Sequence, residues 1–271
     1  MNGSPSTLHA EIKELLRLLS LSTVRECYQE CARVAQQESL SYDQYLLMVV
    51  ERECEVRRSN RISRLLRESH LPLEKSLALF ERDRLPKSVN MQIASLLEGT
   101  FLDRHENVLA FGNPGSGKTH LLSAIALELV HLGHRVLFTS SSMLVQELLT
   151  AKKNLSLTAM IKNLARYELL LLDDIGYVQQ SREEMEVLFT LLSERYERNS
   201  VMITSNLPFS QWDRIFKDPV TTAAAIDRLI HHSIILELNI ESYRFQQSRK
   251  LSSNHSKELN SNHSKERKIS N

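Results

Sequence analysis

The run Gly112-Asn113-Pro114-Gly115-Ser116-Gly117-Lys118-Thr119 has the residue types and spacing of a phosphate-binding loop, G-x-x-x-x-G-K-[ST]. The glycines let the backbone curl until successive N–H groups point into one concavity, where a polyphosphate can replace water as their acceptor. Lys118 adds a cation for the β- and γ-phosphates, and the hydroxyl of Thr119 can ligate Mg²⁺. A helix beginning here directs the positive end of its dipole at the same anion. The segment therefore predicts a site for a nucleoside triphosphate and Mg²⁺.

The flanking sequence provides the context that such a loop requires. Asn107 to Phe111 has the apolar composition of a short buried strand, and Leu121 to Val130 has that of a helix. An ordinary Gly-rich turn is the alternative, and a strand before the loop with a helix after it makes that alternative the weaker one. The residues assigned to the nucleotide are Gly112, Asn113, Pro114, Gly115, Ser116, Gly117, Lys118, Thr119 and His120.

Two adjacent aspartates supply the second anchor that a triphosphate site with Mg²⁺ needs. Leu169 to Leu172 predicts a buried strand, and Asp173 and Asp174 follow it directly. Asp173 is placed to hold the metal, directly or through water, and Asp174 is placed to polarise the attacking water. An exposed turn is the other interpretation of two aspartates after a strand, and it is less favoured downstream of a matching loop.

Two further polar residues are candidates for contact with the γ-phosphate. Asn206 ends the polar run that follows the next apolar strand, where it could orient the hydrolytic water, although Asn before Leu-Pro is also a normal turn residue. Arg228 lies on a predicted helix before the last strand, and an exposed arginine there can reach the γ-phosphate of a neighbouring subunit. An ion pair with Asp227 or an interior carboxylate is the alternative for Arg228.

Hydrophobic periodicity divides the chain into three predicted segments. Residues 1–97 have helical periodicity and predict a small helical domain. In residues 98–250 short apolar strands alternate with helices, which predicts a parallel sheet covered by helices on both faces. Residues 251–271 contain a polar repeat, Ser-Asn-His-Ser-Lys-Glu, and predict a disordered tail. The predicted strands are Asn107 to Phe111, Arg135 to Thr139, Leu169 to Leu172, Val201 to Thr204 and Ile234 to Leu238.

Composition limits the partners and the compartment. The chain has 271 residues and a formal net charge of +1, so attraction to nucleic acid must come from local patches. Cys27, Cys31 and Cys54 leave one cysteine unpaired, which favours a reducing compartment. Cys27 and Cys31 could share a metal, but buried apolar roles are favoured because no further ligands lie close by in sequence. There is no signal sequence and no apolar run of membrane-spanning length, so we expect a cytoplasmic protein.

Taken in order, these blocks resemble the AAA+ ATPases of the initiator and loader group, most closely the IstB-type transposition helper proteins. The similarity covers nearly all of the chain except the tail. It implies a five-stranded parallel sheet in the order 5-1-4-3-2, an N-terminal helical domain for partner contacts and oligomerisation, and ATP-dependent assembly on DNA. The blocks that carry it are Asn107 to Leu122, Leu169 to Tyr177, Met202 to Trp212 and Ala225 to Arg244.

The resemblance also implies roles for individual residues. Asn206 looks like the first sensor, Arg228 like the finger that acts in trans, and Arg244 like a second nucleotide sensor. Many AAA+ ATPases have Glu where this chain has Asp174, so the resemblance implies slow hydrolysis. The residues after Arg244 are mostly polar, which predicts that the C-terminal helical lid is absent, as in the transposition helpers and the related helicase loaders.

One candidate surface for DNA lies in the N-terminal segment. Arg57, Arg61 and Arg64 share a face of a predicted helix, within a stretch that has no acidic residue. A solvated helix face is the default interpretation of such a pattern. If these residues contact DNA, they contact phosphates, which predicts strong salt dependence and little sequence preference.

The second candidate surface is the pair Lys152 and Lys153. The pair lies between two predicted helices, Ser142 to Ala151 and Leu157 to Ala165. This extra helical element resembles the insertion that faces DNA in the initiator group. We expect the same contact with phosphates here as for the arginines.

The sequence thus favours an ATP-dependent, DNA-binding transposition helper that assembles on target DNA and recruits or activates a partner transposase. A DnaC-like replicative helicase loader would carry the same motifs, although Leu71 to Phe80 resembles the transposition helpers more. A P-loop small-molecule kinase is the third alternative. It requires an acceptor pocket and an arginine-rich lid, neither of which the sequence indicates, and it leaves Ile203 to Asn206 without a role.

Overall fold

Contacts within the chain divide it into two units, Met1–Arg64 and Leu65–Asn271. The structure is a computed structural model, and it describes residues 5–176, 181–214, 226–240 and 242. None of the helices within these described ranges is long and apolar enough to cross a membrane.

The boundary between the units lies earlier than the predicted one after residue 97. Residues 65–97 belong with the sheet because their apolar side chains enter its core. Val89, Ile93 and Leu96 are buried in the same cluster as Val108, which lies on a central strand. Helical periodicity alone cannot show which core a helix joins, so this assignment could not be predicted from the sequence.

The N-terminal unit is helical, as its periodicity predicts. It contains α1 (Pro5–Leu18), α2 (Ser22–Gln37) and the first part of α3 (Tyr42–Ser69). Its buried apolar residues are Tyr28, Cys31 and Ala35 on α2 and Val49 on α3. Cys27, Cys31 and Cys54 are all free thiols, and no group of three or more metal-binding side chains occurs in the described residues.

The start of α2 is capped by a carboxylate from α3. Leu21 precedes α2 and provides no side-chain cap. Instead Oε2 of the buried Glu53 accepts hydrogen bonds from the backbone N–H groups of Thr23 at 2.9 Å and Val24 at 3.0 Å. Oε1 of Glu53 accepts a bond of 2.7 Å from Nε of Arg57. Two unsatisfied N–H groups and the helix dipole are thus matched by one negative charge.

The larger unit contains five strands, β1 (Asn107–Phe111), β2 (Val136–Ser140), β3 (Leu169–Ile175), β4 (Ser200–Ser205) and β5 (Ser233–Glu237). They form a parallel sheet with the order β2-β3-β4-β1-β5. This confirms the predicted order and all five predicted strands. Strand β3 extends furthest beyond its predicted end, because Asp173, Asp174 and Ile175 continue the strand after Leu172.

Helices cover both faces of this sheet, so the inner strands are apolar on both sides. Along β1, Leu109 and Phe111 enter one buried cluster, and Val108 and Ala110 enter the other. The remaining α-helices are α4 (Lys87–Leu97), α5 (Thr100–Asp103), α6 (Lys118–Leu132), α7 (Ser141–Lys153), α8 (Leu157–Leu164) and α9 (Arg182–Arg195), and residues 226–231 are also helical. The first cluster includes residues of α7 and α9, and the second includes residues of α4 and α6.

The cap at Glu53 generates a prediction about the N-terminal unit. Burial opposes the charged form of Glu53, but the hydrogen bonds from Arg57, Val24 and Thr23 outweigh it and lower the pKa of the carboxyl group. Glu53→Gln should therefore reduce the local stability of the start of α2 by about 1–3 kcal/mol at pH 7. The measurement is amide hydrogen exchange at Thr23 and Val24, which should become faster.

The pH dependence has a definite sign, because a pKa lowered by folding stabilises the fold only while the carboxyl is ionised. The wild type should lose this protection as the pH falls through the folded-state pKa of Glu53, and Glu53→Gln should not. Glu55→Gln, at an exposed position on the same helix, serves as the control. Equal exchange in the two variants would contradict the assignment of the cap.

Candidate functional site

The strand order brings three strand ends to one edge of the sheet. Strand β4 lies between β1 and β3, and all three are parallel, so their carboxyl ends are neighbours. The predicted loop follows β1, Asp173 and Asp174 lie at the end of β3, and Asn206 follows β4. The carboxyl edge of an open α/β sheet is where such folds bind their ligands. Residues predicted separately from the sequence are thus brought together here.

The backbone of the loop requires glycine at its first position. Gly112 has φ of 151°, and a Cβ there would run into the carbonyl oxygen of Leu238 and lie 3.0 Å from Oγ of Ser116. Gly117 has φ of 93° and precedes α6, which begins at Lys118 rather than at the predicted Leu121. The first N–H groups of a helix have no partner within the helix, so α6 offers them at the loop.

Lys118 joins the loop to the end of β4. The residue is 6% exposed, and its Nζ donates hydrogen bonds to the carbonyl oxygens of Gly112 at 2.8 Å and Asn113 at 3.0 Å. It also donates a bond of 2.7 Å to Oδ1 of Asn206. The ammonium group is therefore held inside the curl of the loop, where a phosphate oxygen would compete with neutral acceptors for it.

Thr119 and Asp173 bring two oxygen donors together beside the loop. The hydroxyl of Thr119 donates a hydrogen bond of 2.7 Å to Oδ1 of Asp173. The same Oδ1 accepts a bond of 2.6 Å from the hydroxyl of Thr204 on β4. A carboxylate and a hydroxyl are hard oxygen donors of the type that Mg²⁺ prefers. The residues present therefore fit a magnesium ion bound beside a triphosphate.

Asp174 is held in a backbone conformation that is unusual for a residue other than glycine, with φ of 63°. Its N–H donates to Oγ1 of Thr204 at 2.7 Å, and its carboxylate accepts a bond of 3.0 Å from Nδ2 of Asn206. Burial and the neighbouring charge of Asp173 raise the pKa of Asp174, and Lys118 acts in the opposite direction. A carboxylate with a raised pKa is a better proton acceptor, which suits general base chemistry.

Sequence reasoning missed two groups that contact the site. One is Thr204, whose position in a polar run after a strand was visible but whose two bonds to the aspartates were not. The other is the turn that contains Ser76 and Phe80. The ring of His120, which we predicted to bind the nucleotide, has Nε2 2.9 Å from the carbonyl oxygen of Ser76, and its centroid lies 5.2 Å from that of Phe80. The predicted contact of His120 with a nucleotide stays a prediction.

Arg228 does not lie with the loop of its own chain. The helical residues 226–231 lead into the amino end of β5, so Arg228 is near the opposite edge of the sheet. The five-residue strand β1 separates the two edges, a span of roughly 13 Å at about 3.3 Å per residue. Nη1 of the exposed Arg228 donates a bond of 2.6 Å to Oγ of Ser193. An action of Arg228 on a neighbouring subunit stays a prediction.

Lys152 and Lys153, the pair predicted to face DNA, lie within a helix and not between two helices as predicted. Lys152 and Lys153 form the last turn of α7, which continues to Lys153 instead of ending at Ala151. Cations are favoured in that turn by the helix dipole, which explains the extension. Nζ of Lys152 forms an ion pair of 3.0 Å with Glu186, whereas Lys153 is exposed.

Among the arginines predicted to contact DNA, Arg57 forms an ion pair with Glu53, and Arg61 and Arg64 are exposed. Three other predictions concern residues beyond the described ranges. Arg244 as a nucleotide sensor, the absent lid and the disordered tail all fall there.

Comparison with known proteins assigns this geometry to a family. The family model for IstB-like ATP binding proteins matches residues 14–251. The chain belongs to this family. The IstB-like chain is 43% identical over 236 residues to an insertion-sequence ATP-binding protein of Sinorhizobium fredii, an alignment that spans 87% of this chain and 79% of that one. It is 35% identical over 240 residues to the IS21 ATP-binding protein of Pseudomonas aeruginosa, and this alignment spans 89% of this chain and 91% of that one.

A solved structure extends the likeness to the fold. AMPPCP-bound DnaA from Aquifex aeolicus superposes with a TM-score of 0.52 and 20% identity, over 68% of this chain and 56% of that one. The predicted resemblance to IstB-type proteins and the predicted AAA+ P-loop fold are therefore both confirmed. The chain is thus a member of a family of ATP-binding proteins of insertion sequences, and the binding of the nucleotide by the loop at the end of β1 stays a prediction.

The close approach at Gly112 generates a prediction for ATP binding. Gly112→Ala should weaken ATP binding by at least about tenfold, since the added Cβ collides with backbone and forces the loop out of its curl. Fluorescence titration with an ATP analogue measures the loss. Gly133→Ala is a matched control, because Gly133 also has a positive φ, 102°, but ends α6 at the edge away from the loop. Unchanged affinity in Gly112→Ala would show that the loop is not the binding site.

Proposed function

We propose that this IstB-like protein is an ATP-dependent, DNA-binding transposition helper. It assembles as an oligomer on target DNA, recruits or activates a partner transposase, and controls that assembly by hydrolysing ATP. The observation that carries the proposal is the pair of hydrogen bonds that links Lys118 through Asn206 to Asp174. These bonds connect the residue suited to bind phosphate with the residue suited to activate water. The protein that contains them belongs to a family of insertion-sequence proteins.

The first step of the proposal is the binding of ATP with Mg²⁺. The N–H groups of the loop and Lys118 hold the phosphates, and the buried hydroxyl of Ser116 has no partner among the described residues. Thr119 and Asp173 would hold Mg²⁺, which when bound would supply positive charge to the phosphate oxygens. Family membership and the fit of these side chains support this step.

The second step is the response of Asp174 to the γ-phosphate. Asn206 has its Oδ1 on Lys118 and its Nδ2 on Asp174, so both of these groups constrain one side-chain amide. A phosphate that draws Nζ of Lys118 toward itself removes one constraint and lets the amide turn. Asp174 is then released to accept a proton from water. Because its side chain is one methylene shorter than that of Glu, we propose that hydrolysis is slow and times the assembly.

The third step is completion of the site by another subunit. Arg228 is exposed at the amino edge of the sheet, away from the loop of its own chain. From this position Arg228 would contact the γ-phosphate bound by a neighbouring copy, which is the role of the predicted trans-acting finger. We assign the contacts with DNA phosphates to Lys153, Arg61 and Arg64, which are exposed. Lys152 and Arg57 would join them by shifting from their ion pairs with Glu186 and Glu53.

Transposition is preferred over helicase loading for one reason. The relatives of this chain are ATP-binding proteins of insertion sequences, and the alignments span most of their length. A partner encoded by the same kind of element, a transposase, follows from that context. The proposed DNA contacts are with phosphates, so we expect weak sequence preference and strong dependence on salt.

Asp174→Asn tests this function directly. It should retain ATP binding, lose about 10²-fold or more in the rate of phosphate release, and remain on DNA with ATP. Lys118→Ala, which removes the ammonium group, should neither bind ATP nor assemble. Electron microscopy and cosedimentation with DNA and the purified transposase measure assembly and recruitment. Failure of the Asp174→Asn assembly to capture the transposase, or unchanged phosphate release, would contradict the proposal.

Mixed assemblies test the role of Arg228. Arg228→Ala subunits keep an intact Asp174, and Asp174→Asn subunits keep an intact Arg228. If the arginine acts in trans, an interface between the two variants can contain both groups, and mixing should restore part of the phosphate release. Ser193→Ala is the control for the contact with Ser193, and it should leave the rate near that of the wild type. Absence of rescue at every mixing ratio would assign Arg228 a role within its own chain.

A further inference from the structure

The aspartates at the end of β3 do not follow the regular alternation of a strand. Leu172 is paired with Ile203, and Ile175 is paired with Ser205. Two residues of β3, Asp173 and Asp174, therefore oppose one residue of β4, Thr204. This is the arrangement of a β-bulge, which bends the strand and changes the direction of its side chains. Bulges next to functional sites commonly aim a particular side chain.

The hydroxyl of Thr204 replaces the ladder contacts that the bulge removes. Thr204 is 1% exposed. Its Oγ1 accepts the N–H of Asp174 at 2.7 Å and donates to Oδ1 of Asp173 at 2.6 Å. One hydroxyl thus uses an acceptor site for the backbone of one aspartate and its single proton for the carboxylate of the other.

The bond to Asp173 also determines which carboxylate oxygen can receive a cation. Both hydrogen bonds recorded for this carboxylate, from Thr119 and Thr204, end on Oδ1. Oδ1 is thus held between two hydroxyls, which leaves Oδ2 as the carboxylate oxygen that can receive a cation. Groups that hold a ligand in this way are known to tune the affinity of metal sites.

We propose that Thr204 is the positioning residue of the magnesium site, and that it aligns Asp173 for the metal while it holds the bulge that separates Asp173 from Asp174. It touches neither nucleotide nor metal and acts through the two aspartates. The inference rests on the proposed binding of Mg²⁺ by Asp173 and Thr119. It explains why a threonine, with one donor and acceptor capacity on a buried β-branched side chain, occupies this position.

The test separates nucleotide affinity from metal affinity. Thr204→Val keeps the shape of the side chain and removes the hydroxyl, and Thr204→Ser keeps the hydroxyl. Binding of a fluorescent ATP analogue is measured in EDTA and then across a Mg²⁺ titration. In Thr204→Val, affinity in EDTA should stay close to that of the wild type, whereas the Mg²⁺ concentration needed for half of the response should rise roughly 10- to 100-fold. Thr204→Ser should restore most of the Mg²⁺ response.

Thr190→Val is the matched control, because Oγ1 of Thr190 donates to the carbonyl oxygen of Glu186 on the exposed side of α9. It should behave as the wild type. A normal Mg²⁺ response in Thr204→Val would overturn the inference, and so would a loss of binding in EDTA as large as the loss in Mg²⁺, which would mark a folding defect. Failure of Thr204→Ser to rescue would do the same. A wild type that does not respond to Mg²⁺ would instead overturn the proposed metal role of Asp173.

Discussion

The site depends on the requirement that the polar groups at the end of β4 find hydrogen-bond partners. Where parallel strands end inside a protein, their backbone and side-chain polar groups still require partners. Thr204 meets this need by bonding to β3, Ser205 bonds to the carbonyl oxygens of Ile175 and Leu207, and Asn206 bonds to Lys118 and Asp174. Three consecutive polar residues thereby hold the loop after β1 and the aspartates of β3 at fixed separations. Little of the site's geometry would survive without them.

Much of the larger unit could be predicted from the sequence, because its signals are local. Buried parallel strands have near-continuous apolar runs, and the loop pattern requires particular residue types at fixed spacing. The strands, their order and the residues grouped at the carboxyl edge follow from these signals together with the resemblance to IstB-type proteins. The glycines of the loop are informative in the same way, since a backbone with positive φ favours glycine and the sequence shows where glycine occurs.

The parts that could not be predicted depend on contacts between distant positions in the chain. The cap that Glu53 provides for α2 joins residues about thirty positions apart, and nothing in either helix alone indicates it. The bulge at Asp173 and Asp174 appears only when β3 is placed beside β4. The extent of α7 has a similar cause, since the pattern of apolar residues stops at Ala151 while the helix continues through two lysines. Hydrophobic periodicity describes faces of elements and not the partners of individual polar atoms.

Strand β1 has a consequence that extends beyond one molecule. Its carboxyl end leads into the phosphate loop, and at its amino end Asn107 donates a side-chain hydrogen bond to the carbonyl oxygen of Leu229, the residue after Arg228. The amide oxygen of Asn107 also accepts the N–H of Val201 on β4. In the proposed assembly the length of β1 thus sets the distance, within each subunit, between the phosphate loop that receives a neighbour's arginine and the Arg228 that is offered to the next subunit. Each subunit would add an identical step, and the length of a single buried strand would be one of the distances that set this step along the DNA.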